Sequence, residues 1–354
     1  MAKRPDSPRL SVIIVSFDSA AELRRTLPAL VAELGEGDEL IVADNGSADG
    51  SLAVAGELAP PARLLDLGEN RGFAAACNAA AAEAGGDLLV VINPDAKPLP
   101  GFGEAIRRPW VDQRGWDAWM ALVLCEGGTR VNTAGNPVHF TGIAWAGGHG
   151  EPAPRQLGPR QVPAASGACL AIPLQRWHAL GGFPDRFFLY HEDIDLSFRV
   201  RLSGGRVGLW PEAVVDHEYE FGGRPQKWRW LERNRWAFLI RVYPAPLLAL
   251  VAPALLATEL ILLPVALAGG WLGQKLRANV DVVRWLPRLL RERRAIQRGR
   301  AISSAEFASW LRPDLDSPNL PTLARSTPVR LALRAYWRLV RLLLGRAPGA
   351  ERPE

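Results

Sequence analysis

The first hundred residues alternate between short β-branched runs and segments with helical spacing, and this order restricts the fold more than any other feature. Runs such as LSVIIVS and ELIVAD have the length of buried strands, and a helical pattern follows each of them. Strands that alternate with helices in this way form a mainly parallel sheet with helices on both faces. The sequence therefore predicts an α/β fold.

Polar side chains gather where four of the predicted strands end. They are Ser16 and Asp18, Asp44 and Asn45, Asn70 and Arg71, and Asn93 and Asp95. In a parallel sheet these ends share one edge, and ligands bind just outside it. The sequence has no GxGxxG motif after the first strand and no GxxxxGK[ST] motif, so dinucleotide and P-loop sites lose their main support. A nucleotide-linked ligand would need a divalent metal for its phosphates, and Asp95 is the natural ligand for one.

A second group of acidic residues stands in FLYHEDIDLSFRVRLSGG, residues 188–205. Apolar residues recur with helical spacing from about Asp193, so a helix is predicted there. Acidic residues at a helix start complement its dipole, which is the simplest interpretation of Glu192, Asp193 and Asp195. Crowded carboxylates also repel each other, which raises an apparent pKa and makes a better base near neutral pH. The helix dipole and Arg199 act in the other direction, so the sequence leaves the net shift of the pKa open. We expect Asp195 to cap the helix or to pair with an arginine.

Charge is distributed unevenly along the chain. Residues 275–354 hold 17 Lys and Arg against 7 Asp and Glu, a net charge of +10, whereas the rest of the chain carries −5. A basic tail on an acidic body suggests an anionic partner surface, either nucleic acid or anionic lipid. The three cysteines are widely spaced and indicate neither a zinc site nor a disulfide framework, as is usual for a cytosolic protein.

Seven stretches of the sequence resemble a known family in content and order. They are SVIIVSF, IVADNGSADGS, ENRGFAAACNAA, VVINPDA, GACLAIP, GGFPDRFFLYHEDIDLSFR and VVDHEYEFG. By these stretches the chain resembles the inverting GT-A enzymes of glycosyltransferase family 2, in the branch that includes rhamnosyl- and galactofuranosyltransferases. We expect a GT-A catalytic domain over residues 1–242, with a Rossmann-like sheet, and a mostly helical region that associates with membranes over residues 243–354.

The resemblance implies a nucleotide-diphosphate sugar as the donor, first dTDP-L-rhamnose and second a UDP-sugar. The positions that match donor-binding residues of the family are Ser16, Asp44, Asn45, Asn70, Gly72, Asn78, Asn93, Asp95 and Arg233. Asn93-Pro94-Asp95 stands where the family carries its DXD metal motif, with asparagine in place of the first aspartate. The resemblance further implies that Asp95 and His217 hold Mn²⁺ or Mg²⁺.

The family's Glu-Asp motif implies that Asp193 is the general base and that Glu192 orients the acceptor or Asp193. Inverting transfer needs one base, which takes the proton of the attacking hydroxyl group. The expected acceptor is a glycan or a polyprenyl-linked glycan in the synthesis of bacterial cell-envelope polysaccharide. Two alternatives stay open, a nucleotidyltransferase of similar fold and a basic-tailed nucleic-acid-binding protein. No recognised nucleic-acid motif accompanies the arginines, so we expect no nucleic-acid partner.

The segment APLLALVAPALLATELILLPVALAGGWLG is apolar for long enough to cross a bilayer. Glu259 lies near its centre, and a lone carboxylate there is costly in lipid. Basic residues flank the segment on both sides, which favours a hairpin or an in-plane helix over a single crossing. Farther on, Arg330, Arg334, Arg338 and Arg341 form one stripe of a basic amphipathic helix, which suits an anionic membrane surface. The sequence therefore predicts a cytoplasmic enzyme at the inner face of the cell membrane; packing of these helices on the protein itself is the alternative.

Overall fold

The computed structural model describes residues 6–218, 226–316 and 326–345, and the chain divides into two compact units. The sheet unit contains the described residues up to Gly135, Ala146–Val200, and those from Gly205 to 218. The helical unit contains Asn136–Trp145, Arg201–Gly204 and the described residues from 226 onward.

The sheet unit is built on ten strands that belong to one sheet. They are β1 (Leu10–Ser16), β2 (Glu39–Asp44), β3 (Arg63–Asp66), β4 (Leu88–Ile92), β5 (Ala96–Pro98), β6 (Ala118–Cys125), β7 (Arg130–Thr133), β8 (Arg160–Gln161), β9 (Cys169–Pro173) and β10 (Val207–His217). Strands β1 and β4 are buried along their whole length, because they lie inside the sheet and both of their faces are covered.

The first four strands have the parallel order that the sequence predicts. Strand β1 pairs in parallel with β2 on one side and with β4 on the other, and β3 pairs in parallel with β2. The register places Ser16 beside Asp44 and Asp44 beside Asp66. The carboxyl ends of these strands therefore share one edge of the sheet, as expected.

The later strands make the sheet mixed. Strand β9 is antiparallel to both β4 and β6, whereas β10 is parallel to β6. The short strand β5 pairs antiparallel with the end of β10, in a register that sets Ala96 beside His217. This pairing brings the segment after β4 next to the last residue of β10, although more than a hundred residues separate them in the sequence.

The helices of the chain follow the predicted alternation in its first part. They are α1 (Ala20–Ala32), α2 (Ser51–Leu58), α3 (Phe73–Ala82), α4 (Phe102–Val111), α5 (Leu174–Leu180), α6 (Glu192–Leu202), α7 (Lys227–Val242), α8 (Ala245–Ala268), α9 (Leu272–Arg298), α10 (Ser304–Ser309) and α11 (Thr327–Leu344). A short 3-10 helix at Asp185–Phe187 precedes α6. Helix α3 is rich in alanine and packs against β1 and β2, because small side chains permit a close approach to the sheet.

The helical unit includes α7, which lies before the domain boundary that the sequence predicts at residue 242. Helices α7 and α9 pack along each other, and α8 contacts α9, α10 and α11. The compact division therefore falls before α7 rather than after it, because the partner of α7 in this unit is a helix from the far side of the apolar segment.

Four charged side chains form a buried ion cluster in the helical unit. Lys275 donates hydrogen bonds to Glu232 Oε2 at 2.7 Å and to Glu259 Oε2 at 2.8 Å. Arg235 pairs with Glu232 at 3.0 Å and with Glu259. The expectation that Glu259 is a lone carboxylate is therefore wrong, since one cation from α7 and one from α9 neutralise it.

Candidate active site

Polar side chains at the shared strand edge are fixed by hydrogen bonds between neighbouring loops. Asp44 accepts from the backbone N–H of Ser47 at 2.9 Å and from its hydroxyl group at 2.6 Å. Asn45 donates to Asn70 Oδ1 at 3.1 Å and accepts from the backbone N–H of Arg71 at 2.8 Å. The loops after β2 and β3 are thus tied together before any ligand binds.

Ser16 ends β1 beside Asp44 in the sheet register. Its hydroxyl oxygen is buried and has no hydrogen-bond partner among the described residues. A buried hydroxyl group costs free energy unless it is satisfied, so a ligand at this edge would gain by bonding to it. Ser16, Asp44 and Asn45 are all nearly inaccessible to solvent.

Gly72 lets the loop before α6 approach the start of α3. Its φ is +85°, and a Cβ atom at this position would lie 2.6 Å from the Cα of Phe188. The backbone N–H of Ala74 donates to the Phe188 carbonyl at 3.3 Å. Only glycine permits this approach, so the Asn70 loop and the acidic segment are joined at one point.

Asn78 has a positioning role in the structure. Its amide nitrogen donates to the Phe183 carbonyl at 2.7 Å and to Asp185, and its oxygen accepts from the backbone N–H of Phe183 at 2.9 Å. These bonds fasten α3 to the segment that leads into α6. Any contact of Asn78 with a donor remains a prediction, and its amide group already has these partners.

Asn93, Asp95 and His217 lie together where β4 ends. His217 Nε2 is 3.0 Å from Asp95 Oδ1 and 3.4 Å from the amide nitrogen of Asn93. The pairing of β5 with β10 produces this contact, since it sets Ala96 beside His217. The three residues that the sequence predicted around a metal are therefore neighbours.

The carboxylate oxygen of Asp95 and the imidazole nitrogen of His217 are suitable ligands for a divalent cation. Two ligands of an octahedral ion are about 3 Å apart, which matches the spacing of the Asp95 oxygen and the His217 nitrogen. Among the described residues there is no group of three or more His, Cys, Asp or Glu that could hold a metal. Asp95 and His217 would thus supply two ligands, and the other positions would fall to a diphosphate or to water.

Asp193 is held in the first turn of α6 by two backbone groups. Its Oδ2 accepts from the N–H of Gly167 at 3.0 Å, and its Oδ1 accepts from the N–H of Ile194 at 2.7 Å. The carbonyl of Ala168, the residue after Gly167, accepts from the N–H of Asn93 at 3.0 Å. The carboxylate of Asp193 is therefore connected to the strand edge that bears Asn93 and Asp95 through a single dipeptide.

Burial governs the acid–base properties of Glu192 and Asp193. Desolvation raises the pKa of Asp193, although hydrogen bonds from Gly167 and Ile194 act against it. Desolvation, followed by the charge of Asp193, raises the pKa of Glu192 well above its usual value. Desolvation is the principal cause of both pKa shifts, and repulsion by a neighbouring carboxylate adds only to the shift of Glu192. One oxygen of Glu192 is buried with no hydrogen-bond partner in the described part of the chain.

Asp195 has the structural role that the sequence predicted for it. It is fully buried and pairs with Arg199 one turn later, at 2.6 Å. Arg199 also donates to the carbonyls of Leu180 and Gly182, both at 2.6 Å. This pair anchors α6 to the end of α5, which fixes the acidic first turn of α6 in place.

The segment that precedes α6 has an unusual backbone. Phe188, Tyr190 and His191 have φ values of +65°, +72° and +69°, a region that residues other than glycine rarely adopt. Such conformations persist only where the surrounding contacts fix them, and they cluster at ligand sites. Here the contacts at Gly72 and the Asp195–Arg199 pair fix the segment at its two ends.

Arg233 lies on α7 in the helical unit. Its guanidinium group is 4.4 Å from the centre of the Trp285 ring, and its Nε donates to Asn234 at 3.0 Å. Desolvation lowers the pKa of Arg233 to about 10. These contacts are internal to the helical unit, and a role for Arg233 in donor binding stays a prediction.

Sequence reasoning missed two contributors to the site. Gly167 supplies the N–H group that holds Asp193, and Phe188 fills the space that Gly72 leaves open. Both belong to stretches that resemble the family, but neither carries a chemical group that marks it as functional. Only the fold shows that the dipeptide Gly167–Ala168 lies between Asp193 and Asn93.

Comparison with known proteins identifies the class of enzyme. Residues 11–169 match glycosyl transferase family 2. The chain carries a glycosyl transferase family 2 domain. It is therefore a glycosyltransferase, as the sequence predicted, and the matched range contains the strand edge and the Gly167–Ala168 dipeptide.

Two curated proteins are similar in sequence to this glycosyltransferase. The N-acetylglucosaminyl-diphospho-decaprenol L-rhamnosyltransferase of Mycobacterium tuberculosis is 29% identical over 231 residues, which cover 59% of this chain and 75% of that protein. The O-antigen biosynthesis protein RfbC of Myxococcus xanthus is 27% identical over 234 residues, which cover 60% of this chain and 17% of RfbC.

The fold of this glycosyltransferase is also found in a distant solved structure. GalNAc-T7, crystallised with UDP, GalNAc and Mn²⁺, superposes with a TM-score of 0.55 at 15% identity. The superposition covers 68% of this chain and 49% of GalNAc-T7. The predicted GT-A fold is confirmed by this likeness.

Proposed function

We propose that the protein transfers a sugar, with inversion, from a nucleotide-diphosphate sugar to a hydroxyl group of a polyprenyl-linked glycan. The curated relative from Mycobacterium tuberculosis is named for L-rhamnosyl transfer to a lipid diphosphate sugar, which supports dTDP-L-rhamnose as the first donor to test and a UDP-sugar as the second. The name of RfbC supports a place in envelope polysaccharide synthesis.

The observation that carries the proposal is the position of Asp193 beside the edge that bears Asn93 and Asp95. In the reaction, the acceptor oxygen forms a bond to the anomeric carbon while the bond from that carbon to the diphosphate oxygen breaks. The hydroxyl proton passes to the carboxylate of Asp193, and the diphosphate leaves with the electron pair. Each oxygen of Asp193 accepts one backbone N–H, which holds the carboxylate in a fixed orientation for this proton transfer.

Glu192 is proposed to orient the acceptor. Its raised pKa favours the protonated form, which can donate a hydrogen bond to a sugar oxygen. The buried oxygen that has no partner among the described residues is the atom that would gain most from such a contact. Ser16, Asp44, Asn45 and the Asn70 loop would hold the nucleoside at the other end of the site.

Asp95 and His217 are proposed to hold Mn²⁺ or Mg²⁺, with Asn93 beside them. When bound, a divalent cation supplies positive charge for the leaving diphosphate. We expect sugar transfer to fall to background after exhaustive EDTA treatment and to return on addition of Mn²⁺. Transfer that is unchanged by EDTA would refute the metal site and leave the assignment of Asp193 intact.

The decisive test is the Asp193→Asn variant, assayed by donor hydrolysis and by transfer to a lipid-linked acceptor. Asparagine preserves the shape of the side chain but cannot take the proton, so turnover should fall by roughly 10²–10⁴-fold. Donor affinity and the unfolding midpoint should stay near those of the parent protein. The matched control is Asp112→Asn, at an exposed position beyond the end of α4. Near-normal turnover in Asp193→Asn would reject this mechanism.

The rival functions have weaker support. A nucleotidyltransferase would need a phosphate loop after β1, and Ser16 is followed there by FDSAAELRR. A nucleic-acid-binding role would rest on the basic tail alone. In the helical unit, two arginines of the predicted stripe are used in protein contacts: Arg334 bonds to Asp314 at 2.8 Å, and Arg330 lies 3.9 Å from the same side chain.

A further inference from the structure

Apart from Thr258 and Glu259, helix α8 is apolar on all sides, but only one of its faces packs on the protein. The packed face is marked by Leu247, Val251, Leu255 and Ala266. Large side chains elsewhere on the helix are exposed; Leu256, Leu260, Ile261, Leu263 and Leu267 are between 37% and 67% accessible. Leu256, Leu260, Leu263 and Leu267 recur at helical spacing, so they form one stripe along the helix.

Helix α9 carries a second exposed apolar stripe, in a different setting. Its members are Leu276, Val280, Val283, Leu286 and Leu290. Exposed arginines accompany it along the same helix, at Arg277, Arg284, Arg288, Arg291, Arg294 and Arg298. Apolar and basic side chains on one exposed helix are typical of a segment that lies at the surface of an anionic membrane.

Helix α8 is the one described helix that is long and apolar enough to cross a membrane, but length and composition are weak evidence. The ion cluster adds a physical restriction. Glu259, near the middle of α8, pairs with Arg235 of α7 and with Lys275 of α9. If the middle of α8 lay at the centre of a bilayer, these parts of α7 and α9 would lie at the same depth. The arginines of α9 would then enter hydrocarbon, which is costly.

We propose that α8 and α9 form an in-plane docking surface for one leaflet of an anionic membrane and that α8 does not cross it. The exposed stripe of α8 enters the acyl region, the α9 stripe follows it, and the α9 arginines contact lipid phosphates. The net charge of +10 over residues 275–354 complements such a surface. This inference names the surface at which a polyprenyl-linked acceptor would be met, and for that purpose it rests on the proposed function.

The first test is flotation of the full-length protein with vesicles of phosphatidylcholine, with and without phosphatidylglycerol. The parent protein should float with the anionic vesicles and much less with the neutral ones. The double variant Leu260→Glu/Leu263→Glu changes only exposed side chains, and it should lower the bound fraction at least about tenfold, since buried carboxylates are costly in lipid. The control is Val111→Glu, an exposed apolar residue of α4, which should float like the parent.

The second test separates an in-plane helix from a spanning one. Ala245→Cys and Ala268→Cys place thiols at the two ends of α8, at exposed positions. Cys77 and Cys169 are buried, so a Cys125→Ser background leaves the new thiol as the reactive one. With a membrane-impermeant maleimide, both thiols should react in inverted membrane vesicles and neither in right-side-out ones.

Three results would overturn the inference. The thiols could react from opposite sides, which means that α8 spans the membrane. The double Glu variant could also bind vesicles as well as the parent does. Finally, the parent could be a dimer that binds no vesicles while the double Glu variant is a monomer, and the stripe would then be an interface between two copies of the chain. Donor hydrolysis by the parent and by Asp193→Asn, measured without vesicles, tests the proposed function separately, so a failure of one idea is distinguishable from a failure of the other.

Discussion

Both units of the molecule bury carboxylates, but the pKa values of these carboxylates shift in opposite directions. In the sheet unit, desolvation raises the pKa values of Glu192 and Asp193. In the ion cluster of the helical unit, desolvation acts in the same direction on Glu232, but Arg235 and Lys275 outweigh it and lower its pKa to about 2. Similar burial is therefore accompanied by raised pKa values in one unit and by a lowered pKa in the other.

The difference separates chemistry from structure. A carboxylate whose pKa is raised towards neutral pH can exchange a proton during a reaction, so it is suited to catalysis. A carboxylate fixed in its ionised form by two cations cannot do so, but it can hold helices together. The ion cluster joins α7, α8 and α9 in this way.

Removing one cation from the ion cluster should produce the largest change in stability. Lys275→Met leaves two buried carboxylates with one guanidinium group, and breaking a buried pair costs about 3–5 kcal/mol. Urea unfolding should show this loss. Arg288→Met is the control, because Arg288 makes an exposed pair with Glu292, which is worth no more than about 1 kcal/mol.

A double variant sharpens this comparison. Lys275→Met/Glu259→Gln restores the charge balance of the ion cluster, so it should recover part of the stability that Lys275→Met loses. If Lys275→Met were as stable as Arg288→Met, the cluster would not hold the three helices together, and the case against a spanning α8 would weaken.

The sequence predicted the local features and missed the distant ones. The strand ends that carry Ser16, Asp44 and Asp95 follow from a short-range pattern, and so does the start of α6. The partners of Glu259 lie 24 residues before it and 16 residues after it, and no periodicity marks them. Judged by its own segment alone, Glu259 looked unpaired.

The same limit applies to the site. Asp95 and His217 were predicted together only through the family resemblance, because they meet by the pairing of β5 with β10. The crowding of Glu192 and Asp193 favours a raised pKa, whereas the helix dipole and Arg199 favour a lowered one, and a sequence cannot show how deeply a side chain is buried. Desolvation, the principal cause, therefore became visible only in the fold.

The smallest predicted effects concern the pH dependence of activity and of stability. Asp193 must be ionised to act as a base, and its pKa is raised above its usual value of 3.8, so kcat/KM should begin to fall at a higher pH than an exposed aspartate would cause. The sign for stability follows from the same shift: the folded protein holds this proton more tightly than the unfolded chain does. The free energy of unfolding should therefore decrease as the pH rises from about 3.8 through the raised pKa. Glu232 has the opposite sign, since its contribution is present above pH 4.5 and is lost as the pH falls towards about 2.

Glu192→Gln tests which of the two site acids loses its proton first. The pKa of Glu192 is raised well above its usual value, so Glu192 should still be protonated while Asp193 titrates. Glutamine is neutral as well, and the acid limb of kcat/KM in Glu192→Gln should therefore stay within about half a pH unit of the parent's, whatever happens to the maximal rate. If the acid limb of kcat/KM moved to lower pH by more than about one unit, Glu192 would be charged in the parent. Its charge, rather than burial, would then set the pKa of Asp193. That result would remove the contrast with the ion cluster, because both sites would then be governed by the charges of their neighbours.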